Sequence, residues 1–287
     1  MLYKNADEWR NAPNKRIMLF GMSGLGKTYI SNLLRDEGGW FHYSVDYRIG
    51  TRYMGEHIAD NFKREAMQVP LLRQLLLTDS VFIQSNITFE NLAPLSTYLG
   101  KPGDPSKGGL PFDEYCRRQD QHRAAEIAAM QDTAHFVRRA QDLYGYGNFI
   151  CDTSGSVCEV VDPDNPNDPV LSALKDTVLP VWIEGSEAHT QKLIRRFDRA
   201  PKPMCYQPAF LETAWTDYQT ETGAAPDTID PDAFVRWTYA RALAHRRPRY
   251  RAIAEKWGVA ISADAAASIS SEADLTDVIS AAIDRMP

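Results

Sequence analysis

Eight consecutive residues, Gly21, Met22, Ser23, Gly24, Leu25, Gly26, Lys27 and Thr28, match the pattern GxxxxGK[ST] in full. A triphosphate is a dense cluster of negative charge, and a row of backbone N–H groups at a helix N-terminus meets it, with the helix dipole adding attraction. Glycines keep side chains out of that approach. Lys27 is expected to reach the β- and γ-phosphates, and Thr28 to offer its hydroxyl to magnesium. The spacing therefore predicts a site for ATP with Mg2+.

The elements around the loop have the order this chemistry requires. Residues 16–20 form an apolar run ending at Gly21, and Ile30, Leu33 and Leu34 recur at helical spacing before Gly38 and Gly39, which reads as strand, loop, helix and stop. Further short runs at 41–45, 148–152, 179–183 and 259–262 read as strands. Helical patterns separate them, which predicts an α/β, three-layer sandwich with a mainly parallel five-stranded sheet. Residues 53–144 exceed what a minimal unit needs and are expected to be a helical insertion within a single domain spanning 1–287. The run Val81–Ile83 is too short for periodicity to assign, and the proline-bearing stretch 162–169 reads as a surface loop. Residues 272–286 place Leu275, Val278, Ile279, Ala282 and Ile283 on one helix face.

Further patterns follow the loop in order. Ser44, Asp46 and Ile49 precede Gly55; Phe62 to Glu65 comes next; Thr153, Ser154, Gly155 and Ser156 follow the third strand; Arg195, Arg196 and Arg199 precede Pro203; and Arg246, Pro248, Tyr250 and Ala254 stand before the last strand. In this order the chain resembles the phosphate-loop small-molecule kinases of the shikimate kinase-like family, over about two-thirds of its length outside the insertion. The resemblance implies phosphoryl transfer from ATP, an acceptor-side carboxylate at Asp46, an acceptor loop at Gly155, and an arginine-bearing lid after the fourth strand. Ser44 departs from the family's Asp-x-Asp. Asp152, ending the third strand, is therefore expected to take the metal side with Thr28. That departure, the substituted acceptor loop and the insertion carry over the reaction and not the shikimate substrate.

Phosphoryl transfer asks mostly for positioning and charge neutralisation. Lys27, Asp46 and Arg199 are the expected catalytic residues. Asp46 orients or deprotonates an acceptor hydroxyl, and one of Arg195, Arg196 and Arg199, with Arg199 entered as the catalytic candidate, closes on the transferring phosphoryl group while the other two are helix-surface charges. Asp46, Arg48, Arg64 and Gly155 are the expected acceptor contacts, since arginine's planar fork suits a carboxylate or phosphate. Arg246, Arg247, Arg249 and Arg251 read equally as a solvated helix face. Cys116, Cys151, Cys158 and Cys205 form no CxxC pair and read as buried thiols, while the six histidines show no metal-ligand spacing.

A composition of 44% hydrophobic and 24% charged residues is that of a globular chain. The formal charge of -6 supplies no general attraction to nucleic acid. No apolar run approaches the roughly 18 residues of a membrane span, and the N-terminus lacks a secretory pattern, so a cytoplasmic protein is expected. Three functions share the loop. The first is a kinase acting on an unidentified small hydroxylated or nucleotide-like acceptor. The second is an ATPase or nucleotide-dependent switch acting on a protein or nucleic-acid partner, and the third a kinase acting on a macromolecule-linked substrate.

Overall fold

In β1 (Arg16–Phe20), Ile17, Met18, Leu19 and Phe20 are fully buried, as expected of a strand covered on both faces. A computed structural model, describing residues 2–286, shows why. β1 is the middle strand of a five-stranded sheet with β2 (Trp40–Ser44), β3 (Asn148–Asp152), β4 (Leu179–Glu184) and β5 (Val259–Ser262). The order is β2-β3-β1-β4-β5, and every pairing is parallel. Parallel neighbours need crossover connections, and helices supply them on both sides of the sheet. This is an α/β fold like that of phosphate-loop NTPases. β2 and β3 lie on one side of β1 and β4 and β5 on the other, so the chain switches sides between β3 and β4 and the carboxyl ends of β1 and β3 lie where open α/β sheets bind ligands.

The chain divides into two compact units. The first comprises Met1–Val45, Ile127–Pro201 and Arg236–Pro287, and carries the whole sheet. Its edge strand β2 is covered by aromatic rings: Tyr43 stacks on Phe136 at 4.7 Å between centroids, and Phe41 on Phe149 at 5.7 Å. The N-terminal helix Ala6–Arg10 packs on the C-terminal helix Glu272–Ile283, where the Trp9 indole N–H donates to the Thr276 carbonyl at 3.0 Å. That last helix buries Leu275, Ile279, Ala282 and Ile283, the face marked by its apolar spacing.

The second unit comprises Asp46–Glu126 and Lys202–Val235. Of the region expected as an insertion, 53–126 falls in this unit, and 127–144 in the unit of the sheet. Over 53–144 the chain forms helices Gly55–Ala66, Pro70–Leu77, Ala93–Leu99, Phe112–Gln131 and Thr133–Tyr144, and its strand pairing is limited to an isolated bridge between Pro102 and Leu110. Residues 81–83 are neither strand nor helix. The core of this unit stacks Phe112 on Trp215 at 4.5 Å, with Phe234 edge-on to Trp215 at 4.9 Å. Gly103 is required where it stands: its φ is 136°, and a Cβ there would lie 2.3 Å from the Ile229 carbonyl oxygen. Among the described residues no helix is long and apolar enough to cross a membrane.

Trp9 is fully buried and its indole N–H is paired, so removing the ring leaves a cavity and removes that hydrogen bond, while the Thr276 carbonyl keeps the Ser280 hydroxyl. Trp9→Ala is expected to lower unfolding free energy by about 3–5 kcal/mol, seen as a reduced urea midpoint.

Candidate nucleotide site

β1 ends at Phe20, and the chain turns at once through Gly21 (φ 130°), Gly24 (φ 92°) and Gly26 (φ 101°), a backbone region that side chains disfavour. A Cβ on Gly21 would lie 2.8 Å from the Ile183 carbonyl oxygen, so the loop follows the end of β4 too closely for any other residue. Gly26 begins helix Lys27–Glu37 with no side-chain cap, so the cap's glycine leaves the first helical amides to an anion. Lys27 is buried, and its ammonium donates to the carbonyls of Gly21 at 2.8 Å and Met22 at 3.3 Å.

The Thr28 hydroxyl donates to Asp152 Oδ2 at 2.8 Å. The register explains the meeting: Leu19, near the end of β1, pairs with Asp152, the last residue of β3. A hydroxyl and a carboxylate are the hard oxygen donors that magnesium prefers, and the glycine cradle is open to phosphate, so the residues present fit ATP and Mg2+. His42 Nε2 stands 3.8 Å from the same Asp152 oxygen. Its sequence signal was a polar residue two positions before Ser44 in an otherwise apolar and aromatic strand, on the same face.

The loop after β3 is fixed from below. Gly155 lies so near the phosphate loop that a Cβ would fall 2.7 Å from Ser23 Oγ. Its carbonyl accepts from the Tyr250 hydroxyl at 2.5 Å and from Arg246 Nη1 at 3.0 Å. Arg246 is buried and also donates to Glu159 Oε1 at 2.6 Å, while His245 Nε2 stands 3.4 Å from Oε2. Arg249 donates to the carbonyls of Cys158 and Val161 at 2.7 and 2.9 Å, and Arg247 and Arg251 reach Glu184 at the end of β4. The basic helix segment is thus a clamp on the loops after β3 and β4. Burial works against the charge of Glu159, but the His245 imidazole close to it and the positive charge of Arg246 hold its carboxyl below the ordinary glutamate range.

Helix Glu187–Arg199 is anchored by buried Leu193 and Phe197, with Phe197 stacked on Tyr239 at 3.8 Å, and it leaves Arg195, Arg196 and Arg199 exposed. Of these three, Arg196 faces the loop: its Nη1 is 3.2 Å from where a Cβ on Gly24 would sit. Arg199 ends the helix. Between this helix and the loop, a cleft is lined by Met22, Leu25, Trp182, His189, Arg247 and Tyr250, among others.

Lys27, Thr28, Asp152 and Gly155 therefore come together in the first unit. Asp46, Arg48 and Arg64 belong to the second. Asp46 is half-buried in the first turn of helix Val45–Arg48, two residues past Ser44, whose Cα pairs with Asp152. The Arg48 guanidinium lies over the Tyr53 ring at 5.5 Å, and Arg64 is exposed on helix Gly55–Ala66.

The sheet order and the glycine loop define the class, a phosphate-loop NTPase-like α/β protein. No protein-family model and no curated protein matches the chain. Among solved structures it is similar to shikimate kinase from Bacteroides thetaiotaomicron, with 14% identity over 92% of this chain and 94% of that one, and a TM-score of 0.39.

Because the folded-state Glu159 pKa is depressed, its contribution to stability is complete above the unfolded value of about 4.3 and is lost as pH falls through the folded value. Glu159→Gln breaks a buried ion pair, at a cost of about 3–5 kcal/mol near neutral pH. Its stability, followed by urea unfolding between pH 7 and pH 3, is expected to fall less steeply on acidification than that of the unaltered chain.

Proposed function

We propose that this protein is an ATP-dependent kinase that phosphorylates a small hydroxylated or nucleotide-like acceptor. The observation that carries the reading is the 2.8 Å hydrogen bond from Thr28 to Asp152 beside an uncapped helix N-terminus. It joins the two oxygen ligands of a magnesium site to an anion cradle. The loop amides and Lys27 bind the triphosphate, Lys27 exchanging its carbonyl partners for phosphate oxygens. Magnesium held by Thr28 and Asp152 supplies charge neutralisation on the phosphates. Asp46, just beyond the end of β2, orients the acceptor hydroxyl and takes its proton, with Arg48 and Arg64 as acceptor contacts. The clamped Gly155 loop keeps a rigid floor beside Ser23. Arg196 is the lid arginine nearest the loop, in preference to Arg199, and it stabilises charge on the transferring group.

A nucleotide-dependent switch acting on a partner is the second reading, and one observation favours it. Helix Pro70–Leu77 buries none of its residues, and Leu71, Leu77 and Phe82 are 65%, 66% and 84% exposed. Exposed apolar side chains gathered on one segment of chain suit an interaction site.

The two readings separate in one assay, release of ADP with and without a pool of metabolites. A kinase shows release that rises sharply with one acceptor; basal hydrolysis indifferent to every metabolite and altered by a protein partner supports the switch. Within the kinase reading, Lys27→Ala is expected to weaken ATP-analogue binding and turnover together. Asp46→Asn is expected to keep nucleotide affinity near that of the unaltered chain while transfer falls on the order of 10²–10⁴-fold. Intact transfer in Asp46→Asn removes the residue from the mechanism, and lost nucleotide affinity moves it to the metal site. Arg196→Ala is expected to reduce turnover by roughly 10²-fold and Arg199→Ala by much less; the reverse order returns the role to Arg199.

A further inference from the structure

One face of helix Phe112–Gln131 is polar where it is buried. Tyr115, Gln119, His122 and Glu126 follow one another at spacings of four, three and four residues, which places them in a row along the helix. All four are more than nine-tenths buried. The row faces the main chain of residues 204–206 in the same unit. The Tyr115 hydroxyl and the Gln119 side-chain amide both donate to the Met204 carbonyl, at 3.1 and 3.0 Å, and the Tyr206 N–H donates to Gln119 Oε1 at 2.9 Å. Cys205 is therefore held between two fixed neighbours. Its Sγ, a ring nitrogen of His122 and a carboxylate oxygen of Glu126 lie within 4.8 Å of one another, and all three residues are buried.

From this geometry we propose that His122, Glu126 and Cys205 form a zinc-binding site. His122 Nδ1 is buried, has no hydrogen-bond partner and stands 3.8 Å from Glu126 Oε2. A buried imidazole nitrogen left in that state is costly, and an ion between the two atoms satisfies it. Zinc bonds of about 2.0–2.3 Å at tetrahedral angles set ligand atoms roughly 3.3–3.8 Å apart. For a nitrogen and an oxygen the value is about 3.3–3.4 Å and for a pair that includes sulfur about 3.5–3.6 Å, so the 3.8 Å between His122 and Glu126 closes by about 0.4 Å, and the sulfur, within 4.8 Å of both, by about 1.3 Å or less.

The donor set selects the metal. A thiolate and an imidazole favour zinc over the magnesium or calcium that an all-oxygen cluster would take. Charge selects it again: one thiolate and one carboxylate neutralise a divalent ion, so the occupied site holds no net charge in a buried place. On binding, the Cys205 thiol gives its proton to solvent and the Sγ–metal bond replaces the S–H bond, with no change of oxidation state. Water completes the fourth position. Gln119 and Tyr115 do not touch the ion; they position Cys205 through the backbone on either side of it. The bound ion ties residues 204–206 to the long helix, and so fixes one end of the segment that follows helix Glu187–Arg199. The site is independent of the phosphate loop and of the proposed kinase reaction.

The test is optical and needs no activity. The full chain, stripped of metal with a chelator, is titrated with cobalt(II), which substitutes for zinc and reports a thiolate ligand by a near-ultraviolet charge-transfer band. Saturation at one equivalent, displacement of the spectrum by zinc, and retention of one zinc per chain after purification are expected. Cys205→Ser is expected to abolish the band. His122→Ala is expected to weaken binding at least tenfold, and Cys116→Ser to leave it unchanged. Circular dichroism identifies any variant that has not folded, and in that event Glu126→Gln, which keeps size and shape, takes its place with weakened binding expected. No charge-transfer band in the unaltered chain, or a band of full strength in folded Cys205→Ser, overturns the proposal.

Discussion

Thr28 meets Asp152 because β1 and β3 lie side by side and in parallel, with Leu19 paired to Asp152. Everything else at the site depends on that pairing. The glycine loop can begin only where β1 ends, and its helix can start only where Gly26 turns the chain. The hydroxyl on the second residue of that helix then falls within a hydrogen bond of the carboxylate ending β3. Out of register by one residue, the aspartate would point to the other face of the sheet. The parallel sheet is thus what brings two oxygen atoms far apart in the chain within a hydrogen bond of each other.

A second constraint is electrostatic. Glu159 and Arg246 are both buried, and neither charge is tolerable alone. Together, with the Tyr250 hydroxyl, they hold the Gly155 carbonyl, and through it the loop that rests against Ser23. Replacing such a pair with apolar residues often leaves stability unchanged, so its value here is geometric. It fixes one loop conformation beside the phosphate cradle. The same helix sends Arg249 to the carbonyls of Cys158 and Val161, where a hydrophobic substitute would leave two acceptors unpaired.

The second unit solves its packing with stacked rings and with polar side chains aimed at the backbone. Arg118 illustrates this: it is buried, and it donates to Glu114, to the Tyr98 carbonyl and to Asn61. Gln119 repeats the device one residue later on the main chain around Cys205. A unit assembled from two separate stretches of chain gains its order from such long-range grips.

The sequence by itself determined what local chemistry decides. The phosphate loop, the five strands and the helices near Lys27, Ser186 and Glu272 were legible because each depends on neighbours a few residues apart: glycines that permit positive φ, an apolar period, a capping serine. Asp152 was legible as the carboxylate ending a strand. Partners set by crossing elements were not. Arg195, Arg196 and Arg199 look alike in sequence, and only the direction each leaves its helix puts Arg196 beside Gly24. Arg246 reads as one more surface charge until the tertiary structure buries it against Glu159. The assignment of residues 127–144 to the unit of the sheet, and of 202–235 to the other, likewise rests on contacts between segments distant in the chain. His122 and Glu126 share a helix face by simple spacing, but Cys205 joins them only through the fold. Local propensity acts within a turn or two, whereas such meetings depend on how whole elements pack.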